Sequence, residues 1–166
     1  MQVPFLDFAA QLAPIRDEVL AAIARVIDSQ KFILGEEVRR VEERLAEYCG
    51  ARFAIGCASG SDALLLALKA VGIGPGDAVL TAPFTFFATA GAVTLAGATP
   101  VFVDVDRETF NIDVAQIAAA LDGHPKIKAI LPVHLFGGCA DMDAINEIAR
   151  ARGIAVIEDA AQAIGA

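Results

Sequence analysis

Ile127–Glu158 reads IKAILPVHLFGGCADMDAINEIARARGIAVIE, and this stretch decides the fold. Two short apolar runs, Ile127–Val133 and Ile154–Glu158, flank a helical run, Asp141–Arg152. Asp141 stands where a helix N-cap belongs, and Gly153 where a helix terminator belongs. The apolar runs are continuous instead of alternating, which is how parallel strands covered on both faces read. The pattern repeats upstream. Further strands are predicted at Phe53–Cys57, Ala78–Thr81 and Thr99–Val103, and further helices at Ser61–Val71, Thr85–Ala96 and Val114–Leu121. Asp113 with Gln116 has the spacing of a capping box. Helices 61–71 and 85–96 are apolar all round, which predicts burial. Strand and helix in alternation mean an α/β protein with a parallel sheet of about five strands. The last strand comes near the C-terminus, so the architecture is expected to break off midway.

Before Arg52 the texture differs. Leu12, Ile15, Val19, Ile23, Val26 and Ile27 follow helical spacing and predict one amphipathic helix over 12–29. Gln30–Gly35 breaks it. A second helix over 36–49 carries Val38, Val41, Leu45 and Tyr48 on one face, and Gly50 can stop it. Residues 1–50 therefore read as a helical arm, and 51–166 as the body it packs on.

Composition bounds the function. The 166 residues carry 13 Lys plus Arg against 21 Asp plus Glu, a net charge of −8. That excludes a nucleic-acid backbone binder, which needs a basic face. A hydrophobic share of 56% excludes disorder and is high for a soluble monomer, so surface covered by more chain or a partner is expected. Cys49, Cys57 and Cys139 form no CxxC pair and suit a reducing cytosol. No apolar run reaches the roughly 18 residues of a membrane span. The first residues hold no Lys or Arg and an acid at Asp7, unlike a signal peptide, so the cytoplasm is expected.

In an open parallel sheet, ligands bind beyond the carboxyl ends of the strands, so the residues there carry the functional reading. After the first run comes Ala58-Ser59-Gly60-Ser61-Asp62, then a helix. Its free N–H groups and dipole favour an anion such as phosphate; the alternative is an ordinary cap by Ser61 or Asp62. After the second comes Pro83-Phe84-Thr85-Phe86-Phe87, aromatics that either stack on a planar ring or belong to the core. His134 after the fourth reads as a hydrogen-bonded structural residue, and Cys139, Asp141 and Asp143 nearby have no metal-ligand spacing. Asp104 and Asp106 read as loop carboxylates. After the fifth comes Glu158-Asp159-Ala160-Ala161-Gln162. An acid ending a buried strand needs a partner, and a carboxylate there can hold a ligand cation or protonated ring nitrogen, or cap a following helix. Gly72, Gly74 and Gly76 follow a helix and make a turn, not a dinucleotide fingerprint.

Taken in order, these segments resemble the N-terminal part of the DegT/StrS-type sugar aminotransferases, pyridoxal-phosphate enzymes of fold type I. The resemblance runs through Phe32-Ile33-Leu34-Gly35, Ala58 to Leu64, Ala82 to Thr89, Phe102-Val103-Asp104-Val105-Asp106, Pro132 to Gly137, Ala140 to Asp143, and Ile157 to Gln162. It implies a three-layer α/β/α, mainly parallel sheet, the incomplete large domain of an aspartate aminotransferase-like transferase. It implies that Gly60, Ser61 and Asp62 hold the cofactor phosphate at the helix start. Phe86 takes the place of the aromatic stacked on the pyridine ring, Asp159 pairs with the pyridinium nitrogen, and Gln162 lies near the phenolic oxygen. The implied assembly is a homodimer with the site at its interface. The implied substrates are an amino acid, glutamate expected, and a keto-sugar nucleotide.

One departure stands against the match. The family needs a Schiff-base lysine a few dozen residues past the Glu-Asp-x-x-Gln segment, and none of Lys31, Lys69, Lys126 and Lys128 matches it. The expectation is a fragment that is inactive by itself, without the small C-terminal domain. Two alternatives stay open: a sugar dehydratase of the same family, with histidine for the lysine, and a non-catalytic binding or regulatory module.

Overall fold

The computed structural model describes residues 6–166. They form two compact units, one ending at Gly56 and one running from Cys57 to Ala166.

The first unit is helical: α1 (Phe8–Leu12), a 3-10 turn (Ala13–Ile15), α2 (Arg16–Ser29) and α3 (Glu36–Tyr48). The single helix expected over 12–29 is thus divided. Pro14 has no N–H to donate and crowds the preceding turn, so the chain tightens there and restarts at Arg16. Asp7 caps α1, its Oδ1 accepting from Ala10 N–H at 3.0 Å. Gln30 ends α2 in the left-handed region at φ 56°. Glu36 and Glu37 open α3, where carboxylates favour the helix dipole. Arg39 bonds both Glu36 and Glu43, and the bond to Arg39 holds the Glu36 carboxyl below its usual range. Gly50 stops α3 at φ 62°, as expected. No residue of α1, α2 or α3 is buried.

Phe53–Cys57 is not a strand. Ile55 is 84% exposed, and the Gly56 N–H donates to Glu42 Oε1 at 2.7 Å instead of to a neighbouring strand. A strand exists only by pairing, and this run finds no partner among the described residues.

The second unit is a three-layer sandwich. Its sheet has four parallel strands in the order β2-β1-β3-β4: β1 (Ala78–Thr81), β2 (Thr99–Phe102), β3 (Ile127–Ile130) and β4 (Ala155–Val156). The strands alternate with α4 (Gly60–Ala70), α5 (Ala88–Leu95), α6 (Val114–Gly123) and α7 (Met142–Arg152). Leu64 and Leu68 of α4 and Ala92 and Val93 of α5 pack with Val79, Ala129 and Leu131 on one face. Ile117 and Leu121 of α6 and Ile145 and Ala149 of α7 pack with Leu80, Ile127 and Ile130 on the other. Val79, Leu80 and Ile130 are fully buried, which is why these strands read as continuous apolar runs. Burying each such side chain stabilises by about 1.5–3 kcal/mol relative to exposure.

Several details differ from the sequence reading. Helices α4 and α5 bury one side only: Leu66 is 54% and Leu95 73% exposed. Helix α5 starts at Ala88, leaving 83–87 as a loop. The capping box half forms. Asp113 Oδ1 accepts from Ala115 N–H at 3.0 Å, but Gln116 turns to the Asp113 carboxylate and accepts from Asp104 N–H. Asp141 caps α7 through Ala144 N–H at 3.1 Å, and Gly153 ends it at φ 63°, both as expected. Strands β3 and β4 are short, because Pro132 has no N–H for the ladder, yet single bonds carry the pairing on to the Val133–Asp159 bridge.

Candidate active site

The loops after the strands carry the residues singled out by sequence. Ahead of α4 the cap is Ser59, not Ser61 or Asp62. Its Oγ accepts from Asp62 N–H at 3.1 Å, and its O–H reaches Asp62 Oδ2 at 2.9 Å. The Asp62 N–H is therefore engaged. The N–H groups of Gly60 and Ser61 have no acceptor among the described residues, and a Cβ added at Gly60 would meet no atom within 4 Å. Two open N–H groups at the positive end of an 11-residue helix can take an anion.

After β1, Phe86 and Phe87 are 77% and 82% exposed, so they are not core. Phe84 turns elsewhere. Its ring lies 5.8 Å from that of Phe110 and 6.3 Å from that of Phe136, which come from the loops after β2 and β3. The Phe86 carbonyl accepts from Thr89 N–H at 3.2 Å, and Thr89 is fully buried.

Asp159 is clamped by the extension of the sheet. Its N–H donates to Pro132 O at 2.9 Å, and its carbonyl accepts from His134 N–H at 3.0 Å. Its half-buried carboxylate accepts from Thr89 Oγ1 at 3.3 Å and, through Oδ1, from Ala161 N–H at 3.3 Å. Its sequence neighbour Glu158 points to His134. The buried His134 ring accepts from Ala140 N–H at Nδ1, 3.1 Å, so its proton belongs on Nε2, which donates to Glu158 Oε2 at 3.0 Å. Gln162 is exposed, and its Oε1 accepts from Phe136 N–H at 2.8 Å.

The structure thus brings Phe86 to within one turn of the residue that bonds Asp159, and ties Gln162 to the loop after β3. Gly60, Ser61 and Asp62 stand at the start of the helix packed beside α5, and among the described residues no hydrogen bond joins them to Phe86, Asp159 or Gln162. Asp104 and Asp106 are loop carboxylates: Asp106 Oδ1 takes three bonds from Glu108 and Thr109. Sequence reasoning missed Thr85, Thr89 and the buried Asn111, which braces the 134–138 loop through Leu135 N–H and Gly138 O. For Thr85 and Thr89 the signal was a polar residue inside an apolar stretch; Asn111 lies in a polar loop and carried no such signal. Lys69 lies late in α4, Lys126 and Lys128 at the amino end of β3, and Lys31 in the first unit. A cavity of about 590 Å³ lies in the first unit, beside Arg25, Ser29, Lys31 and Glu37.

Chemically, the arrangement offers a fixed carboxylate, an exposed aromatic ring, a side-chain amide and a helix start with open N–H groups. A carboxylate can hold a cation, an exposed ring can stack on a flat group, and open N–H groups can take an anion.

Residues 14–166 match the DegT/DnrJ/EryC1/StrS aminotransferase family. The chain is 54% identical over 166 residues to a protein of Geobacillus stearothermophilus described as "Pleiotropic regulatory protein", covering 100% of this chain and 44% of the relative. It is 51% identical over 164 residues to the UDP-2-acetamido-2-deoxy-3-oxo-D-glucuronate aminotransferase of Pseudomonas aeruginosa, covering 99% of this chain and 45% of that enzyme. Among solved structures it resembles NtdA from Bacillus subtilis with bound cofactor PMP, at TM-score 0.93 and 38% identity, over 99% of this chain and 38% of that one. The chain therefore spans under half the length of the curated relatives it matches.

Proposed function

The chain belongs to the DegT/DnrJ/EryC1/StrS aminotransferase family, and from that premise we propose that it is the cofactor-binding portion of a pyridoxal-phosphate-dependent sugar aminotransferase. The amino group would pass from an amino acid, with glutamate the expected donor, to a keto-sugar nucleotide. The protein would act in the cytoplasm as a homodimer, with residues 1–50 as a helical arm and 51–166 as the first part of the large domain. The observation that carries this reading is Asp159, a strand-end residue whose main chain is clamped by Pro132 and His134 and whose carboxylate is bonded by Thr89, three residues along the chain from the exposed Phe86.

The residues present fit the cofactor. Gly60 and Ser61 would take its phosphate on their open N–H groups; Asp62 N–H could join only by giving up Ser59. Phe86 would lie against the ring, Asp159 would hold the ring nitrogen protonated, and Gln162 would stand by the phenolic oxygen. The bound cofactor supplies an electron sink for the carbanion left when the amino acid loses its Cα proton. Asp159 serves that sink by keeping a positive charge opposite its own.

The test uses the protein at its full natural length, loaded with pyridoxal phosphate, with glutamate and a panel of UDP- and dTDP-keto-sugars. The expected result is 2-oxoglutarate together with an aminated sugar nucleotide. Asp159→Asn should lower turnover by roughly 3–4 kcal/mol of transition-state stabilisation, as for removal of a preorganised electrostatic partner. Unchanged turnover would reduce Asp159 to a structural residue. Loss of water without gain of nitrogen would replace the reading with the dehydratase. A regulatory role is favoured by the description of the Geobacillus relative; it would be supported by absence of any product with the fold intact.

A further inference from the structure

Thr89 is the one polar side chain of α5 that is fully buried and bonded to a residue of the candidate site. Helix α5 is otherwise apolar or small on its inner face, with Ala92 and Val93 packed against the sheet. A hydroxyl in that position costs stability unless it is hydrogen-bonded. It makes two contacts, with Thr85 Oγ1 at 2.9 Å and Asp159 Oδ2 at 3.3 Å.

Counting hydrogens fixes the direction of this chain. A threonine hydroxyl has one hydrogen to donate. The contact to the Asp159 carboxylate uses it, so Thr89 must accept from Thr85. Polarity then runs from the half-buried Thr85 O–H, through Thr89 O–H, to Asp159 Oδ2. Ala161 N–H occupies the other oxygen, so the carboxylate plane is set from both ends. At 3.3 Å the Thr89 contact is about 0.5 Å longer than a usual hydroxyl–carboxylate bond.

We propose that Thr89 is a positioning residue for Asp159: its hydroxyl, backed by that of Thr85, aims the carboxylate at the ring nitrogen of the bound cofactor. The inference rests on the reading of Asp159 given above. Thr89 touches no ligand itself. It sets the angle at which Asp159 meets the ring, and hence how well the charged pair forms.

The test is made on the protein at its full natural length with pyridoxamine phosphate, which binds without a covalent link. Two quantities are measured: the dissociation constant, and the nitrogen-15 shift of a labelled cofactor ring, which reads protonation there directly. Thr89→Val keeps shape and removes the hydroxyl; it should weaken binding roughly tenfold, as loss of one hydrogen bond to a charged group predicts, and move the ring shift toward the unprotonated value. Thr89→Ser should restore both. Thr85→Val should have a smaller effect, because Thr89 can still donate. If Thr89→Val does not fold, Thr89→Ala takes its place. Parent-like affinity and ring shift in Thr89→Val, with both altered in Asp159→Asn, would overturn the role of Thr89 alone. No change in Asp159→Asn would overturn the reading of Asp159 and this inference with it.

Discussion

His134 is only 3% exposed, and both its ring nitrogens are engaged. Removing the ring strands the Ala140 N–H and leaves a void, so His134→Ala should cost about 2–4 kcal/mol in chemical denaturation. His134→Asn can still offer an oxygen to Ala140 and should recover part of that; equal losses in the two variants would show that packing alone matters. Asp106 carries the pH dependence of its loop. Backbone bonds from Thr109 and Glu108 hold its carboxyl below the ordinary 3.8. A group with a depressed folded pKa binds fewer protons when folded, so its stabilisation is present above about pH 3.9 and fades as pH falls through the folded value. The stability gap between parent and Asp106→Asn should therefore shrink in acid below about pH 4; a gap that widens there would contradict the assignment. At this scale the sequence spoke unevenly. A lone buried histidine reads as structural from its apolar setting, and Asp141 as a cap from its place before a helix. Ser59 as the cap is a local contact with Asp62, three residues on, but Ser59, Ser61 and Asp62 are all cap-type residues and the run alone does not choose among them; the Thr89–Asp159 bond joins positions 70 apart and depends on residues meeting in space.

Among the elements, Ala78–Thr81 matches its predicted bounds, and α3 and α7 match within a residue, because periodicity and terminators are local signals. Phe53–Cys57 has the same apolar texture as β1 and still forms no strand, since pairing is not encoded in the run itself. The turn glycines offer a sharper test of what an element requires. Gly97 follows α5 at φ +87°, and a Cβ there would lie 2.9 Å from Pro75 Cγ. Gly97→Ala should destabilise by about 1–3 kcal/mol, from backbone strain and the clash together. Gly123 closes α6 with nothing within 4 Å of an added Cβ. Gly123→Ala should instead stabilise by about 0.5–1 kcal/mol. Thermal melts of the two variants should move in opposite directions, and a shared direction would mean that the end of α6 is not helical in solution.

At the scale of the whole chain, the composition is explained by what stays uncovered. Helices α2 and α3 are amphipathic but bury nothing, with Ile23 49%, Ile27 53% and Val41 53% exposed. In the second unit Phe86, Phe87 and Leu95 are more than two-thirds exposed. Strands β2 and β4 end the sheet with no neighbour on their outer sides among the described residues. Open edges and apolar faces are both templates for association. The 166-residue chain should therefore not be a monomer, and its charge of −8 favours soluble assemblies over precipitation. Light scattering over a concentration series should give masses above 17.3 kDa that rise with concentration. Lysine in place of Ile23 and Leu45 should lower them if the helical unit makes the contact, and lysine in place of Leu95 if α5 does. A sharp monomer mass at every concentration, with a cooperative melt, would mean that these faces tolerate water and would favour a self-standing binding module over the catalytic reading.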